Sequence, residues 1–361
     1  MKKTAMKITH LPTPWFHQQI LAWYDQQGRH TLPWKKAINA YRVWVSEIML
    51  QQTQVSTVIP YFKRFMKTFP NVKTLAKAPL DDVLHLWAGL GYYARGRNLH
   101  KTAQMIHQQY QDKFPSTVEA LMELPGIGRS TAGAIVAQAF NLRAPICDGN
   151  VKRVLSRLHC IGGWPGQKEV EAILWELANH YTPSERVADY TQAMMDIGAT
   201  LCTRSSPNCS ACPLQKRCQA YAEDKQHIYP QKKPQKTLPS RQTLMLCLLN
   251  KNKEILLQQR PQKGIWGGLW SLPQFDDKET LTAFIQQHFG LKRLTLSPLV
   301  EIQHTFTHFH LTITPWQGKI SKSTALQTED LHWVDAKALK KLGFPAPVKK
   351  LLRYDMIAEN M

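Results

Sequence analysis

LPGIGRSTAGAIVAQAFNLRAPICDGNVKRVL, Leu124 to Leu155, holds a tight turn, an apolar helix, a lone acid and a basic helix in that order. Gly126 and Gly128 can take backbone angles and close approaches that a Cβ would forbid, so Leu124 to Gly128 reads as a sharp turn between two helices. Gly128-Arg129-Ser130-Thr131 then opens a helix whose unpaired N–H groups form a ready site for a phosphate. A lone GxG is more simply an ordinary interhelical turn. Arg129 adds a cation at that turn, and about one helix and a loop further on Asp148-Gly149-Asn150 precedes Val151-Lys152-Arg153. An acid in front of a basic helix suggests a carboxylate held beside a bound polyanion.

The totals agree with that reading. At 361 residues the chain is comfortable for two domains, each with its own core. A 43% hydrophobic composition with 11 Trp excludes wholesale disorder, and a formal charge of +20 points to a polyanionic partner. No apolar run is long enough to span a bilayer, so no membrane is expected. The N-terminal MKKTAMKITHLPTPW lacks the apolar centre of a secretory signal, and the cytoplasm is the default compartment. Four of the 7 cysteines are crowded into Cys202 to Cys218, which suits a metal site better than a disulfide framework.

Upstream, Phe16, Ile20 and Trp23 recur at helical spacing until Gly28, and RHTLPW (Arg29 to Trp34) reads as a loop with Trp34 as a core plug. Tyr41 to Tyr61 reads as one mostly apolar helix interrupted by Glu47. That acid faces solvent, is paired in the core, or is functional, since acids are almost never fully buried alone. Val43, Trp44, Leu50 and Gln51 share its face, so desolvation should raise its pKa and keep it partly protonated near neutral pH, as a general acid requires. Gln51-Gln52-Thr53, on the same helix, is more simply a solvated stripe. Leu84 to Asn98 combines Gly89, Gly91 and Gly96 with Tyr92, Tyr93, Arg95 and Arg97. Such a loop suits approach to phosphates and wedging into stacked bases, although aromatics in glycine-rich turns more often cover a core edge. Leu99 to Phe114 reads as a helix, and Ser116-Thr117-Val118-Glu119 as a capping box ahead of the hairpin.

Val170 to Tyr181 and Asp189 to Leu201 read as helices, with Asp196 on the second as a surface acid. The cysteines follow as Cys202-x6-Cys209-x2-Cys212-x5-Cys218, a set able to enclose a zinc ion or an iron-sulfur cube, between which ligand softness does not decide. Cys147, Cys160 and Cys247 read as small core residues. Lys225 to Arg241 is rich in proline and cations and reads as a linker. Beyond it, Gln242 to Leu249 and Glu254 to Gln259 alternate like strands around Asn250-Lys251-Asn252.

The words LPGIGRSTAGAI, DGNVKRVL, VSEIMLQQT and WAGLGYYARGRNL resemble the endonuclease III superfamily of DNA glycosylases, and within it the MutY-type adenine DNA glycosylases. The likeness runs over nearly the whole chain, more loosely after Leu244. It implies a mainly α helix-hairpin-helix glycosylase domain at residues 1–225, a linker at 226–241, and an α+β Nudix-like domain reading 8-oxoguanine at 242–361. It assigns a 4Fe-4S cluster, rather than zinc, to Cys202, Cys209, Cys212 and Cys218. It makes Glu47 the acid that protonates the leaving purine, Asp148 the carboxylate facing the cationic sugar, and Asn150 the partner orienting Asp148 or the water. It places Trp34 against the extruded adenine, Gln52 and Tyr92 in the DNA stack, Gly126 and Gly128 on phosphate, and Asp196 in the adenine pocket. Ser130 stands where bifunctional relatives carry a Schiff-base lysine, which implies a monofunctional enzyme.

In the second domain AFIQQHFG (Ala283 to Gly290) aligns with the metal-binding Nudix helix, but Phe284, Gln287 and His288 replace its acids, so no metal-dependent hydrolysis is expected there. His304 to Phe309 is similar to the HxFSH segment that reads 8-oxoguanine, with Thr307 in place of the usual serine. The expected partner is double-stranded DNA with A:8-oxoguanine or A:G mispairs, bound by a monomer in the cytoplasm, on the nucleoid in a bacterium. Two rivals remain: a bifunctional glycosylase/lyase for oxidised pyrimidines, and a DNA-binding iron-sulfur protein without chemistry.

Overall fold

A computed structural model describes residues 9–234, 237–261, 264–321 and 330–354. They form two units: the described residues up to Lys77 with Asn98–Pro234, and Ala78–Arg97 with the residues from 237 onward. The division departs from the expected boundary at residue 225 and linker at 226–241. Tyr229 and Gln231 remain tied to the first unit, by Arg157 Nε donating to the Tyr229 carbonyl (2.9 Å) and the Gly163 N–H donating to Gln231 Oε1 (3.0 Å). The first strand already begins at Ser240. Ala78–Arg97 belongs with the second unit because its polar groups are satisfied there, the Tyr93 hydroxyl donating to the Phe344 carbonyl at 3.0 Å.

Helices account for the first unit and the Ala78–Arg97 insert: α1 Thr13–Gln27, α2 Ala40–Leu50, α3 Val55–Thr68, α4 Val72–Lys77, α5 Leu80–Trp87, α6 Ala94–Gln109, α7 Val118–Met122, α8 Arg129–Phe140, α9 Gly149–Leu158, α10 Lys168–Tyr181, α11 Val187–Asp196 and α12 Gln219–Ala222. The apolar faces of α1, α9, α10 and α11 meet in one core around Phe16, Ile20, Leu155, Leu174 and Tyr181. Four readings change. The segment Tyr41 to Tyr61 is two helices, because the polar Gln51-Gln52-Thr53 turns the chain, the Thr53 N–H closing onto the Leu50 carbonyl at 3.2 Å. α6 starts at Ala94, so Arg95 and Arg97 are helical and the loop shrinks to residues 88–93. The capping residue of α7 is Thr117, whose hydroxyl accepts from the Ala120 N–H (3.3 Å). Past Asp196 the chain widens into a π turn, Ile197–Leu201, before the cysteines.

The second unit is built on a mixed sheet. β1 (Ser240–Leu249) and β7 (His310–Lys319) run parallel from Ser240↔His310 to Leu249↔Lys319, and β2 (Ile255–Gln259) and β8 (Leu331–Val334) extend the sheet antiparallel. Short β3 (Trp270–Ser271), β4 (Gln274–Phe275), β5 (Ser297–Pro298) and β6 (Ile302–Thr305) complete it. Period-two alternation sends Met245, Cys247 and Leu249 to one face and Leu246 and Leu248 to the other. Both faces are buried, so β1 reads as a nearly continuous apolar run. The expected turn at Asn250 to Asn252 is there, with Asn250 Oδ1 accepting from the Asn252 N–H (2.9 Å). α13 (Lys278–Phe289) starts in a capping box, Asp277 with Thr280, and packs on the Leu246 face; α14 (Ala336–Leu339) and α15 (Ala346–Tyr354) follow on the chain.

Candidate active site

Glu47 lies on α2 between residues of the core, with Val43, Trp44 and Ile48 fully buried around it. The residue is only partly covered by area, yet its carboxyl is ringed by protein. Burial pushes its pKa up to about 8, and the neighbouring Asp148 charge adds to the rise. A hydrogen bond from the Gln138 side chain on α8 pulls the other way. Sequence reasoning missed Gln138, although its signal was present: it interrupts the apolar run AGAIVAQAF.

Asp148 is the N-cap of α9, with Oδ1 accepting from the backbone N–H groups of Asn150 (3.1 Å) and Val151 (2.9 Å). Asn150 Nδ2 donates to the other carboxylate oxygen at 2.9 Å. Burial raises the Asp148 pKa, and these bonds, with Arg153 nearby, oppose the rise. A charge on Asp148 makes Glu47 hold its proton more tightly. The two predicted catalytic carboxyls therefore act on one another.

Gly198 in the π turn lets that arrangement close. A Cβ there would stand 2.5 Å from Asn150 Cβ and 2.9 Å from its Cα. The obstacle is largely backbone, so Gly198→Ala is expected to cost about 1–3 kcal/mol of stability in a thermal or urea melt, and to displace Asn150. A variant as stable as the parent would contradict the close approach.

At the hairpin, Gly126 has φ +82° and its Cβ position falls 2.9 Å from Asn98 Cβ, so a side chain is refused twice over. Gly128 caps α8 without a side-chain hydrogen bond and has open space where a Cβ would stand. Ser130 accepts from the Cys147 N–H at 3.1 Å, tying the hairpin to the residue before Asp148. Gln52 and Tyr92 are both exposed non-glycine residues with positive φ, +57° and +49°. Such conformations are strained for side chains of this size and concentrate at functional positions.

Matches to known proteins follow the same lines. The profile of the HhH-GPD superfamily base excision DNA repair proteins matches residues 45–180, and that of the NUDIX domain residues 244–354. The adenine DNA glycosylase of Buchnera aphidicola (subsp. Acyrthosiphon pisum) is 40% identical over 339 residues, 93% of this chain and 96% of that protein. The human (Homo sapiens) adenine DNA glycosylase is 34% identical over 402 residues, 94% of this chain and 73% of that one. The chain belongs to the adenine DNA glycosylase family. Among solved structures, a thermostable thymine-DNA glycosylase is similar at TM-score 0.52 and 25% identity, over 58% of this chain and 97% of that one. An endonuclease III–DNA complex shares the fold at TM-score 0.50 and 23% identity.

In this adenine DNA glycosylase family member several expected roles move. The cations of the basic helix α9 have partners within the protein. Lys152 pairs with Glu171 (2.6 Å), and Arg153 donates to the carbonyls of Cys202 (2.6 Å) and Gly198 (2.5 Å) and to Asn150 Oδ1 (2.9 Å). Buried Arg157 donates to the Thr203 and Arg204 carbonyls (2.7 and 3.1 Å). These side chains strap the cysteine loop to the helix that bears Asp148. Asp196 is no surface acid. It is fully buried, accepting from the Arg29 N–H and Nε (both 2.8 Å) and from Gln192 (2.7 Å), so it braces the RHTLPW loop from within. Trp34 is 4% exposed and lies edge-on to Phe62. Cys147 and Cys247 are buried as expected, whereas Cys160 is only partly so.

Cys202, Cys209, Cys212 and Cys218 form no disulfide. Burial pushes Cys212 up to about 12 and Cys218 up to about 11, and the other thiols of the set add to the rise. Arg157 Nη1 donates to Cys202 Sγ at 3.3 Å. Among the described residues no three His, Cys, Asp or Glu side chains close on a position for a single metal ion. In the second unit Thr307 is exposed at the tip of the β6–β7 hairpin, beside an aromatic group in which the His304 and Phe306 rings meet at 4.6 Å. Phe284 packs on Phe275 and His288 (5.0 and 4.5 Å), an apolar setting where a Nudix helix would present carboxylates.

Proposed function

We propose that the chain is a monofunctional glycosylase that, as a monomer on duplex DNA, removes adenine mispaired with 8-oxoguanine or guanine in base excision repair. The observation that carries this reading is the electrostatic pairing of two buried carboxyls, Glu47 and Asp148, in which the Asp148 charge adds to the rise of Glu47 while hydrogen bonds and Arg153 oppose the rise of Asp148. The target atoms lie inside the duplex, so the nucleotide is flipped out, at a cost of a few kcal/mol. The exposed, strained Gln52 and Tyr92 are the residues to enter the stack, and the open amides at Gly126 and Gly128 are those to hold a phosphate. Glu47 gives its proton to the purine ring as the glycosidic bond breaks and its electron pair leaves with adenine. Ionised Asp148, fixed by Asn150, faces the cationic sugar until water adds to it and gives up a proton, which restores the Glu47 carboxylic acid. Contact of Trp34 with the flipped adenine, and of Thr307 with 8-oxoguanine, completes the assignment.

The cysteine set fits a 4Fe-4S cluster. Neighbouring thiols that disfavour one another's ionisation are stable as thiolates only around positive charge, and four cysteines within Cys202 to Cys218 would hold the cluster. When bound, the cluster ties together the loop that Arg153 and Arg157 strap to α9. Ser130 cannot form a Schiff base, and its hydroxyl already holds the Cys147 N–H. A single-turnover assay with borohydride present tests the whole: we expect free adenine, an abasic site and no trapped adduct. A strong covalent adduct would favour the bifunctional rival.

A further inference from the structure

Most arginines around the active-site helices are spent on the protein itself. Arg29 holds Asp196, Arg153 and Arg157 hold backbone carbonyls, and Arg186 holds Asp25 and Asp189. Arg129 is different. It is exposed, and its guanidinium lies over the Trp175 ring of α10, 4.0 Å from the centroid. Its donors find no hydrogen bond or ion pair among the described residues. Trp175 and Arg129 line one open recess with Lys168, Glu171, Glu176 and Asn179, and Glu171 there is already taken by Lys152.

A ring face attracts a guanidinium without using its N–H groups, so stacking fixes the fork in space and leaves its donors free. A planar fork with free donors recognises phosphate oxygens in bidentate fashion, and less freedom is lost on contact when the fork is already held. We infer that Trp175 is a positioning residue that pre-sets Arg129 to grip a backbone phosphate of the bound duplex. This rests on the DNA-binding reading above.

The test measures binding of the full chain to a duplex carrying a tetrahydrofuran abasic analogue, at several salt concentrations. Arg129→Ala should weaken binding roughly five- to tenfold at low salt and reduce the slope of log affinity against log salt by about 0.9, the signature of one lost phosphate contact. Trp175→Ala should weaken it about two- to fivefold, Trp175→Phe should restore most of the loss, and Trp175→Ala should add nothing in an Arg129→Ala background. An unchanged slope in Arg129→Ala, or a Trp175→Ala loss that persists without Arg129, overturns the inference while DNA binding by the parent stands. A parent protein without salt-dependent affinity for the duplex overturns the DNA-binding reading as well.

Discussion

Glu47→Gln is expected to bind a mismatched duplex as the parent does and to release adenine slower by roughly 10²–10⁴-fold, the usual worth of a positioned proton donor. An amide keeps the size and the contact with Gln138 but has no acidic proton. The same substitution should alter stability in a pH-dependent way, and the sign follows from burial. Glu47 ionises near 4.5 in the unfolded chain and near 8 when folded. Below pH 4.5 both forms are protonated and Glu47 carries no ionisation penalty. As pH rises toward 8 only the unfolded chain loses the proton, so stability falls, and above 8 the loss is complete. Glu47→Gln removes the penalty, and the variant should be more stable than the parent at high pH by about 1–3 kcal/mol, allowing for partial exposure. A dead enzyme that is harder to melt is the mark of a catalytic group kept against the interest of the fold. Unchanged base release would remove Glu47 from the mechanism.

Asp148→Asn is the second large effect. Asparagine is as good an N-cap as aspartate, so α9 should keep its start and the melting temperature should change little. What goes is the negative charge, and adenine release should slow by about 10²–10³-fold, as when a charge-stabilising group is lost from other active sites. Affinity for the duplex should hold or rise, since an anion leaves the site. Asp148→Ala would lose cap and charge together and cost roughly a further 1 kcal/mol of stability. If Asp148→Asn kept the parent's rate, the sugar cation would need another partner.

The functional helices were legible because their signals are local. The hairpin glycines, the lone acid in an apolar run, the cysteine spacing and the alternating strands are each carried by one short stretch of chain. What escaped depends on partners far along the chain. Nothing near Asp196 announces Arg29, and nothing near Arg157 announces the carbonyls of Thr203 and Arg204. A run of lysine and arginine looks alike whether it faces phosphate or its own backbone, so α9 was read outward when it points inward. The break between α2 and α3 was missed for the opposite reason. Apolar residues on both sides of Gln51-Gln52-Thr53 keep a helical rhythm, and only the turn itself shows that the chain changes direction.

The central claim is that Glu47 stays protonated at neutral pH because it is buried beside an ionised Asp148. The rate of adenine release in single turnover, followed from about pH 5 to about pH 10, tests it most directly. Above about 8 a tenfold fall for each further unit is expected, with that bend moved to lower pH in Asp148→Asn, where the repelling charge is gone. A rate that stays flat or climbs through alkaline pH, or a bend indifferent to Asp148→Asn, would contradict the claim.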